Sequence, residues 1–225
     1  MTWYLETERL KLRAIDSTDA RNLYELNADP RVMEFLSPEY DSLEEAEAIL
    51  PKVVARNERY GNQLGLFAAI EKGSEEFIGT FILRPDRHAP DGTKNLEIGY
   101  RLKQRWWGKG LGTEGSLALV ERALAQFGAR RIYANAMPGN RASMRIMEKT
   151  GLGFEKAYTE TDDCGKTVEL VMYSREYPSG PQSRAARPLL KREALLLVSK
   201  QDCKARPKGH PCGGAVSPES HEVKV

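Results

Sequence analysis

The pattern of apolar and polar residues changes its period in the middle of the chain. Residues 96–102, Leu-Glu-Ile-Gly-Tyr-Arg-Leu, alternate between apolar and polar side chains, and this period of two is typical of a β-strand. Beyond four glycines within residues 108–115, apolar side chains recur with nearly helical spacing at Leu117, Val120, Leu124 and Phe127. The pattern therefore predicts a strand, a glycine-rich turn and an amphipathic helix in succession.

The same criteria predict further elements on both sides of this centre. Residues 7–15 alternate as an opening strand, and Asp16 or Ser17 caps a helix through Asn27. Ser42 and Glu45 match a capping box for a helix toward Tyr60, in which Pro51 predicts a kink or a break. The other predicted elements are strands over 64–70, 77–83 and 131–137, a helix over 138–149, and a final hairpin of strands over 154–161 and 167–173. The helical crossover between residues 102 and 131 implies one parallel strand pair.

Length and charge separate the chain into two parts. The 225 residues suffice for one well-cored domain and an appendage, and the net charge of +2 indicates no polyanionic partner, so nucleic acid is not expected. From Ser179 onward, nine Lys and Arg stand against four Asp and Glu, and Pro, Gly and Ser become frequent. We expect residues 178–225 to form a basic, disordered tail.

The cysteine content and the N-terminal sequence indicate the cellular compartment in which the protein is expected. Cys164, Cys203 and Cys212 have no metal-ligand spacing, so we expect reduced thiols and no metal site. The N-terminus has no signal-peptide pattern, and no apolar run approaches the length of a membrane span. We therefore expect a cytoplasmic protein without membrane contact, either a monomer or a homodimer.

The glycine-rich turn has the properties of an anion site. Glycines allow backbone N–H groups to approach a ligand closely, and the following helix N-terminus adds about half a positive charge. Lys109 lies inside the turn, and Arg101, Lys103 and Arg105 precede it, which raises the local positive potential. Phosphate or diphosphate is the expected ligand.

Two common phosphate-binding motifs fit this turn poorly. Residues 110–115 satisfy the dinucleotide pattern G-x-G-x-x-G, but residues 103–107 separate them from the strand, and Ala129 to Arg131 hold no acidic ribose ligand. A nucleotide-dependent oxidoreductase therefore remains an outside alternative. The P-loop is excluded because no Gly-Lys-Ser/Thr closes the run.

A third pattern fits better. Residues 107–112, Trp-Gly-Lys-Gly-Leu-Gly, followed by Thr113 and Glu114, resemble the Q/R-x-x-G-x-G/A signature of GNAT N-acetyltransferases, most closely their RimJ/RimL-like branch. Trp107 departs from the signature by occupying the Gln/Arg position, and a frame beginning at Arg105 leaves Gly112 unexplained. Residues 7–13 and the N-x-x-S of Asn140 and Ser143 resemble the same branch.

The resemblance covers residues 7–176 and implies an α/β fold. We expect a GNAT-like mixed, largely antiparallel sheet with a parallel splayed strand pair and flanking helices, forming an acetyltransferase domain over residues 1–177. Acetyl-coenzyme A is the implied co-substrate. The implied coenzyme-binding residues are Tyr100 and Leu102 along the pantetheine arm, Trp107, Gly108, Lys109, Gly110, Leu111, Gly112 and Thr113 at the diphosphate, and Asn140.

The resemblance also implies catalytic roles. Glu97 matches the acidic residue that many GNAT enzymes use as a base, although a cross-strand ion pair would equally explain it. Ser143 is the candidate acid because Met147 occupies the position of the usual tyrosine, and Tyr158 and Tyr100 are weaker candidates. Backbone N–H groups near Leu102 would meet the oxyanion, and Gly99 would help the strand to bulge there.

The expected reaction is direct acetyl transfer to a primary amine in a ternary complex, since no cysteine lies in a nucleophile motif. The acceptor is either a protein N-terminus or a small molecule. Acidic residues in two predicted acceptor loops, Glu34, Glu39, Asp162 and Asp163, weakly favour a cationic acceptor. The alternative is a non-catalytic acetyl-coenzyme A sensor, which the absence of the usual tyrosine at Met147 would suit.

Overall fold

The computed structural model describes residues 3–36, 40–86, 94–161, 165 and 167–178, so the predicted tail beyond residue 178 lies outside it. Its strands and helices are, in order, β1 (Leu5–Glu6), β2 (Leu10–Ala14), α1 (Ala20–Asn27), α2 (Pro30–Met33), α3 (Leu43–Glu58), β3 (Gly65–Glu71), β4 (Phe77–Pro85), β5 (Asn95–Leu102), α4 (Leu111–Arg122), β6 (Arg131–Ala136), α5 (Arg141–Lys149), β7 (Gly153–Thr161) and β8 (Thr167–Glu176). Two 3-10 turns precede α1 and α4, and a π-helical turn over Ala123–Phe127 follows α4.

All eight strands form one mixed sheet. Their order is β1-β2-β3-β4-β5-β6-β8-β7, and every neighbouring pair is antiparallel except β5 and β6, which are parallel. One hydrophobic core includes buried side chains of α4 and α5, and a second core includes those of α1, α2 and α3. The predicted fold class is confirmed, with one parallel crossover at the centre.

The period-two pattern of β5 determines which residues enter the first core. Leu96, Ile98 and Leu102 are buried there, and Tyr100 packs against them. Helix α4 lies against the sheet at Gly115, where a Cβ atom would stand 2.3 Å from Cζ of Phe81. Only glycine allows the helix backbone to approach the sheet this closely.

Two further polar interactions anchor helix starts. The Asp19 side chain, fully buried before α1, receives hydrogen bonds of 2.6 and 2.8 Å from the guanidinium of Arg13. The Ser42 hydroxyl accepts from Glu45 N–H at 3.1 Å, as the capping box predicts. The carboxylate of Glu45 instead accepts from the N–H of Asp41, one residue before the expected donor.

Two local expectations differ from the structure, and one strand was not predicted. Helix α3 runs through Pro51, where a kink or a break was expected, and does not break there. No register shift occurs between β4 and β5, so Gly99 forms no bulge in that pairing. Strand β1 was not predicted, because a strand of two residues is too short to show a period in the sequence.

Within the described ranges, no His, Cys, Asp and Glu side chains form a group of three that could hold a metal ion. None of the helices there has the length and apolar content of a membrane span.

Candidate active site

The parallel strands β5 and β6 separate partway along their length. Their register runs from Asn95 opposite Arg131 to Glu97 opposite Tyr133 and extends no further within the described residues. Beyond this point, β5 continues to Leu102 beside β4, while β6 continues to Ala136 beside β8. The sheet therefore opens into a V-shaped gap with Glu97 and Tyr133 at its closed end.

Peptide groups of β5 line one edge of this gap. Asp86 N–H donates to Asn95 C=O at 2.9 Å, and Lys103 N–H donates to Ile78 C=O at 2.8 Å. Residues two apart share an edge of an antiparallel ladder, so odd-numbered residues of β5 bond to β4. The N–H and C=O groups of Tyr100 and Leu102 consequently point toward β6, where the gap is.

The turn between β5 and α4 presents a row of amides. Gly108 and Gly110 adopt left-handed φ angles of 71° and 78°, which reverse the chain before the helix. The first helical hydrogen bond joins Glu114 N–H to Gly110 C=O at 3.0 Å. The amides of Leu111, Gly112 and Thr113 therefore lie in the first turn of α4, where helices have no intrahelical acceptor for their N–H groups.

Trp107 was predicted to bind the diphosphate, but both of its N–H groups donate to acceptors within the protein. Its backbone N–H donates to Gln104 C=O at 3.0 Å, and its indole N–H donates to Leu102 C=O at 2.7 Å. Both donors are therefore occupied within the protein, although 45% of the side chain is exposed. The open amide row consequently begins at Gly108.

Gly112 serves helix packing. A Cβ atom at Gly112 would lie 2.8 Å from Cδ1 of Ile146 on α5, whereas a Cβ atom at Gly110 would meet nothing closer than 3.5 Å. Gly110 is required for its backbone angle, and Gly112 for the contact between α4 and α5. From the sequence, both glycines were expected to serve the ligand alone.

The predicted cations are unequally available. Lys103 pairs with Glu25 at 3.3 Å, and Arg105 pairs with Glu76 at 3.0 Å. The Lys109 ammonium instead stacks 4.4 Å from the ring centre of Trp106. The positive potential of the turn therefore comes mainly from Lys109 and the α4 N-terminus.

Helix α5 brings a second polar group to the gap. The side-chain oxygen of Asn140 accepts from Ser143 N–H at 3.0 Å, which confirms Asn140 as the helix cap. The Tyr100 hydroxyl donates to Ser143 C=O at 2.9 Å and lies 3.0 Å from Ser143 Oγ. Burial raises the pKa of Tyr100 well above its ordinary value, so this phenol stays protonated at neutral pH.

Glu97 occupies an ion pair at the closed end of the gap. Arg84 Nε donates to its carboxylate at 2.7 Å, and only 12% of the Glu97 side chain is exposed. The neighbouring Tyr133 donates to Asp86 at 3.0 Å, and its pKa is raised by burial and by the charges of Glu97 and Asp86. The cross-strand partner considered in the sequence analysis is present.

The two catalytic candidates lie on opposite sides of the sheet. Glu97 and Tyr100 have opposite parity on β5, so their side chains point to opposite faces. Ser143 meets Tyr100 on the face covered by α4 and α5. Met147 is buried in the core beneath it, which removes that position from the site. Base and acid candidates thus approach the gap from opposite faces.

Two arginines that the sequence analysis did not select reach the site. Arg84 holds Glu97, and Arg9 lies against the turn with hydrogen bonds to Lys109 C=O and Glu114. The only signal for Arg9 was its position within the N-terminal resemblance. The weaker acid candidate Tyr158 lies on β7, away from the gap between β5 and β6.

Comparisons with known proteins agree with this geometry. A family model described as "Acetyltransferase (GNAT) domain" matches residues 9–153. The uncharacterized protein YkkB of Bacillus subtilis (strain 168) is 31% identical over 153 residues, which cover 68% of this chain and 86% of YkkB. The ribosomal protein uS5-alanine N-acetyltransferase of Escherichia coli (strain K12) is 30% identical over 164 residues, or 68% of this chain and 78% of that enzyme.

A solved structure of RimL, an α-N-protein acetyltransferase in complex with coenzyme A, has a similar fold. Its TM-score is 0.65 at 19% identity, over 78% of this chain and 98% of that chain. The segment matched by the family model contains the strand gap, the amide turn and the start of α5. The chain therefore belongs to the GNAT acetyltransferase family, in its RimJ/RimL-like branch, and is an N-acetyltransferase whose co-substrate is acetyl-coenzyme A.

Proposed function

We propose that this enzyme transfers the acetyl group directly from acetyl-coenzyme A to a primary amine in a ternary complex. The main supporting observation is the gap that opens after Glu97 and Tyr133, next to the α4 turn, whose first amides have no acceptor within the helix. A diphosphate on the turn would direct the pantetheine arm along the open edge of β5. The thioester would then lie inside the gap, reachable by an amine from the opposite face of the sheet.

The amides of residues 108–113 and the side chain of Lys109 would hold the diphosphate. The N–H and C=O groups of Tyr100 and the N–H group of Leu102 would bond to the pantetheine arm, with Asn140 as a further contact from α5. The exposed indole of Trp107 would cover the coenzyme by packing rather than by donating hydrogen bonds.

Transfer requires one bond to form and one to break. The neutral amine nitrogen attacks the thioester carbonyl carbon, and the resulting oxyanion is stabilised by N–H groups of the open β5 edge. The C–N bond forms, the C–S bond breaks, and the amine loses a proton while the sulfur gains one. We assign the amine proton to Glu97 through a water molecule, because Glu97 lies on the face opposite Tyr100.

We assign the sulfur proton to Ser143. Its hydroxyl lies 3.0 Å from the protonated Tyr100 hydroxyl, whose proton would turn from Ser143 C=O to Ser143 Oγ as the serine donates to sulfur. No cysteine belongs to the strands and helices of the site, and this supports direct transfer over a thioester-linked enzyme.

Acceptor identity distinguishes two versions of the proposal. The name of the Escherichia coli relative describes acetylation of a ribosomal protein alanine, which favours a protein N-terminus. A small-molecule amine would use the same gap. Family membership does not favour the alternative of a non-catalytic sensor.

Thiol release from acetyl-coenzyme A tests the proposal. Purified enzyme is incubated with peptides bearing free N-termini, the same peptides with blocked N-termini, and small-molecule amines. We expect release that depends on an unblocked amine, with N-acetylated product of matching mass. Saturable acetyl-coenzyme A binding without product for any amine would favour the sensor, and absence of binding would refute the site.

A further inference from the structure

Arg9 crosses the turn that precedes α4. Its Nη1 donates to Lys109 C=O at 2.9 Å, its Nε donates to Glu114 at 2.7 Å, and its Nη2 lies 2.6 Å from the same carboxylate. The backbone N–H of Arg9 and the hydroxyl of Thr7 donate to the other Glu114 oxygen at 2.9 and 2.5 Å. The hairpin between β1 and β2 is thus fastened to the turn by five hydrogen-bonding contacts.

These contacts determine which backbone groups of the turn face solvent. An anion is repelled by carbonyl oxygens and attracted by N–H groups. The Lys109 carbonyl is occupied by Arg9, the Gly110 carbonyl by Glu114 N–H, and the Leu102 carbonyl by Trp107. Arg9 therefore occupies a carbonyl of the glycine turn that precedes Gly110, the first acceptor of the helix.

Glu114 creates an electrostatic problem that Arg9 resolves. Burial raises the pKa of Glu114, but hydrogen bonds from Thr7 and Arg9 outweigh burial and hold its pKa below the ordinary value. The carboxylate is therefore charged at neutral pH, within the first turn of the helix whose N-terminus is to receive a diphosphate. The guanidinium of Arg9 pairs through Nε and Nη2 with one oxygen of this carboxylate and offsets its charge locally.

We propose that Arg9 is a positioning residue for acetyl-coenzyme A, acting through the Lys109 carbonyl and the Glu114 carboxylate. It keeps the amides of residues 108–113 directed outward and removes a bare negative charge from beside the diphosphate. This inference rests on the proposed coenzyme site.

The test compares four variants of the full-length enzyme. Arg9→Ala removes the contacts, Arg9→Lys keeps the charge without the forked geometry, and Arg9→Ala with Glu114→Gln removes both charges. Lys11→Ala is the matched control, because it removes a cation of the same hairpin, two residues from Arg9, that pairs with Glu75 at 2.6 Å. Calorimetry gives the Kd for coenzyme A and for dephospho-coenzyme A, and steady-state kinetics give KM and kcat.

Arg9→Ala should raise the Kd of coenzyme A by roughly tenfold or more, the loss expected when charge-assisted hydrogen bonds no longer hold the donors. KM for acetyl-coenzyme A should rise in parallel with little change in kcat, and Arg9→Lys should be intermediate. Adding Glu114→Gln to Arg9→Ala should improve the affinity for coenzyme A by about two- to fivefold, because an unpaired carboxylate no longer repels the diphosphate. Lys11→Ala should stay within about twofold of wild type.

Three results would overturn the inference. The first is an Arg9→Ala affinity equal to that of Lys11→Ala, and the second is a fall in kcat at unchanged KM. The third is a loss of affinity for coenzyme A that is absent with dephospho-coenzyme A. The last would make Arg9 a direct ligand of the 3′-phosphate. Should Arg9→Ala fail to fold, Arg9→Lys carries the same comparison. Wild-type enzyme that binds no coenzyme A would instead refute the proposed site itself.

Discussion

Substituting Gly110 by alanine separates backbone strain from coenzyme binding. Gly110 has a φ of 78° and Gly61 has a φ of 58°, and both have room for a Cβ atom. Gly61 follows α3 and lies outside the β5–α4 turn. The two alanine variants therefore introduce the same kind of left-handed strain at two sites, of which one belongs to the amide row.

The expected magnitudes differ between the two measured quantities. An L-residue in the left-handed region costs about 1–2 kcal/mol, so each variant should lose that much free energy of unfolding. For a domain of this size the loss corresponds to about 2–8 °C in Tm. At Gly110 the chain can relieve strain only by rotating the neighbouring amides, which would cost one charge-assisted hydrogen bond to the diphosphate and raise Kd roughly tenfold or more.

Thermal unfolding and calorimetry with coenzyme A provide the two readouts. We expect Gly61→Ala to lose stability at unchanged coenzyme affinity, and Gly110→Ala to lose both. A Gly110→Ala variant that is destabilised like Gly61→Ala but binds coenzyme A with wild-type affinity would refute the reasoning, because the diphosphate would then lie elsewhere.

Three other predictions address chemistry and stability. Glu97→Gln should lower kcat roughly 10- to 100-fold and move the pH–rate profile to alkaline values at unchanged coenzyme affinity, whereas an unaltered profile would leave Glu97 only its ion pair with Arg84. Tyr100→Phe and Ser143→Ala should each lower kcat, and the double variant should be no slower than the slower single one, because both hydroxyls act as one unit; multiplicative losses would contradict this. Asp19→Asn should cost about 3–5 kcal/mol of unfolding free energy in thermal melts because it leaves Arg13 without its buried partner, and a loss below about 1 kcal/mol, as expected for the exposed pair of Asp29 and Arg31, would argue against a strong pair.

Much of the fold could be predicted because its elements have clear periods. Strand β5 alternates cleanly, and the caps at Asp16, Ser42 and Asn140 are all made by the expected residues. Of the kink or break expected at Pro51, the break does not occur, because the penalty for one proline is smaller than the gain from packing a long helix through its buried Ala46 and Leu50.

The site was less predictable because its arrangement depends on contacts distant in sequence. The turn glycines were recognised, yet the packing role of Gly112 depends on Ile146 of another helix. Glu114 and Arg9 are separated by 105 positions, and no local period links them. The ion pair of Glu97 likewise could not be known from the sequence, because its partner Arg84 lies on the neighbouring strand β4.

The short pairing between β5 and β6 has a consequence for mechanics. Three register pairs are the direct strand contact between the five-stranded half and the three-stranded half of the sheet in the described part of the chain. A pantetheine arm lying between the separated ends would act as a surrogate strand, satisfying peptide groups that the protein leaves open. On our proposal, bound coenzyme therefore links the two halves of the sheet. At a concentration one hundred times its Kd, it would raise the free energy of unfolding by about 2.7 kcal/mol.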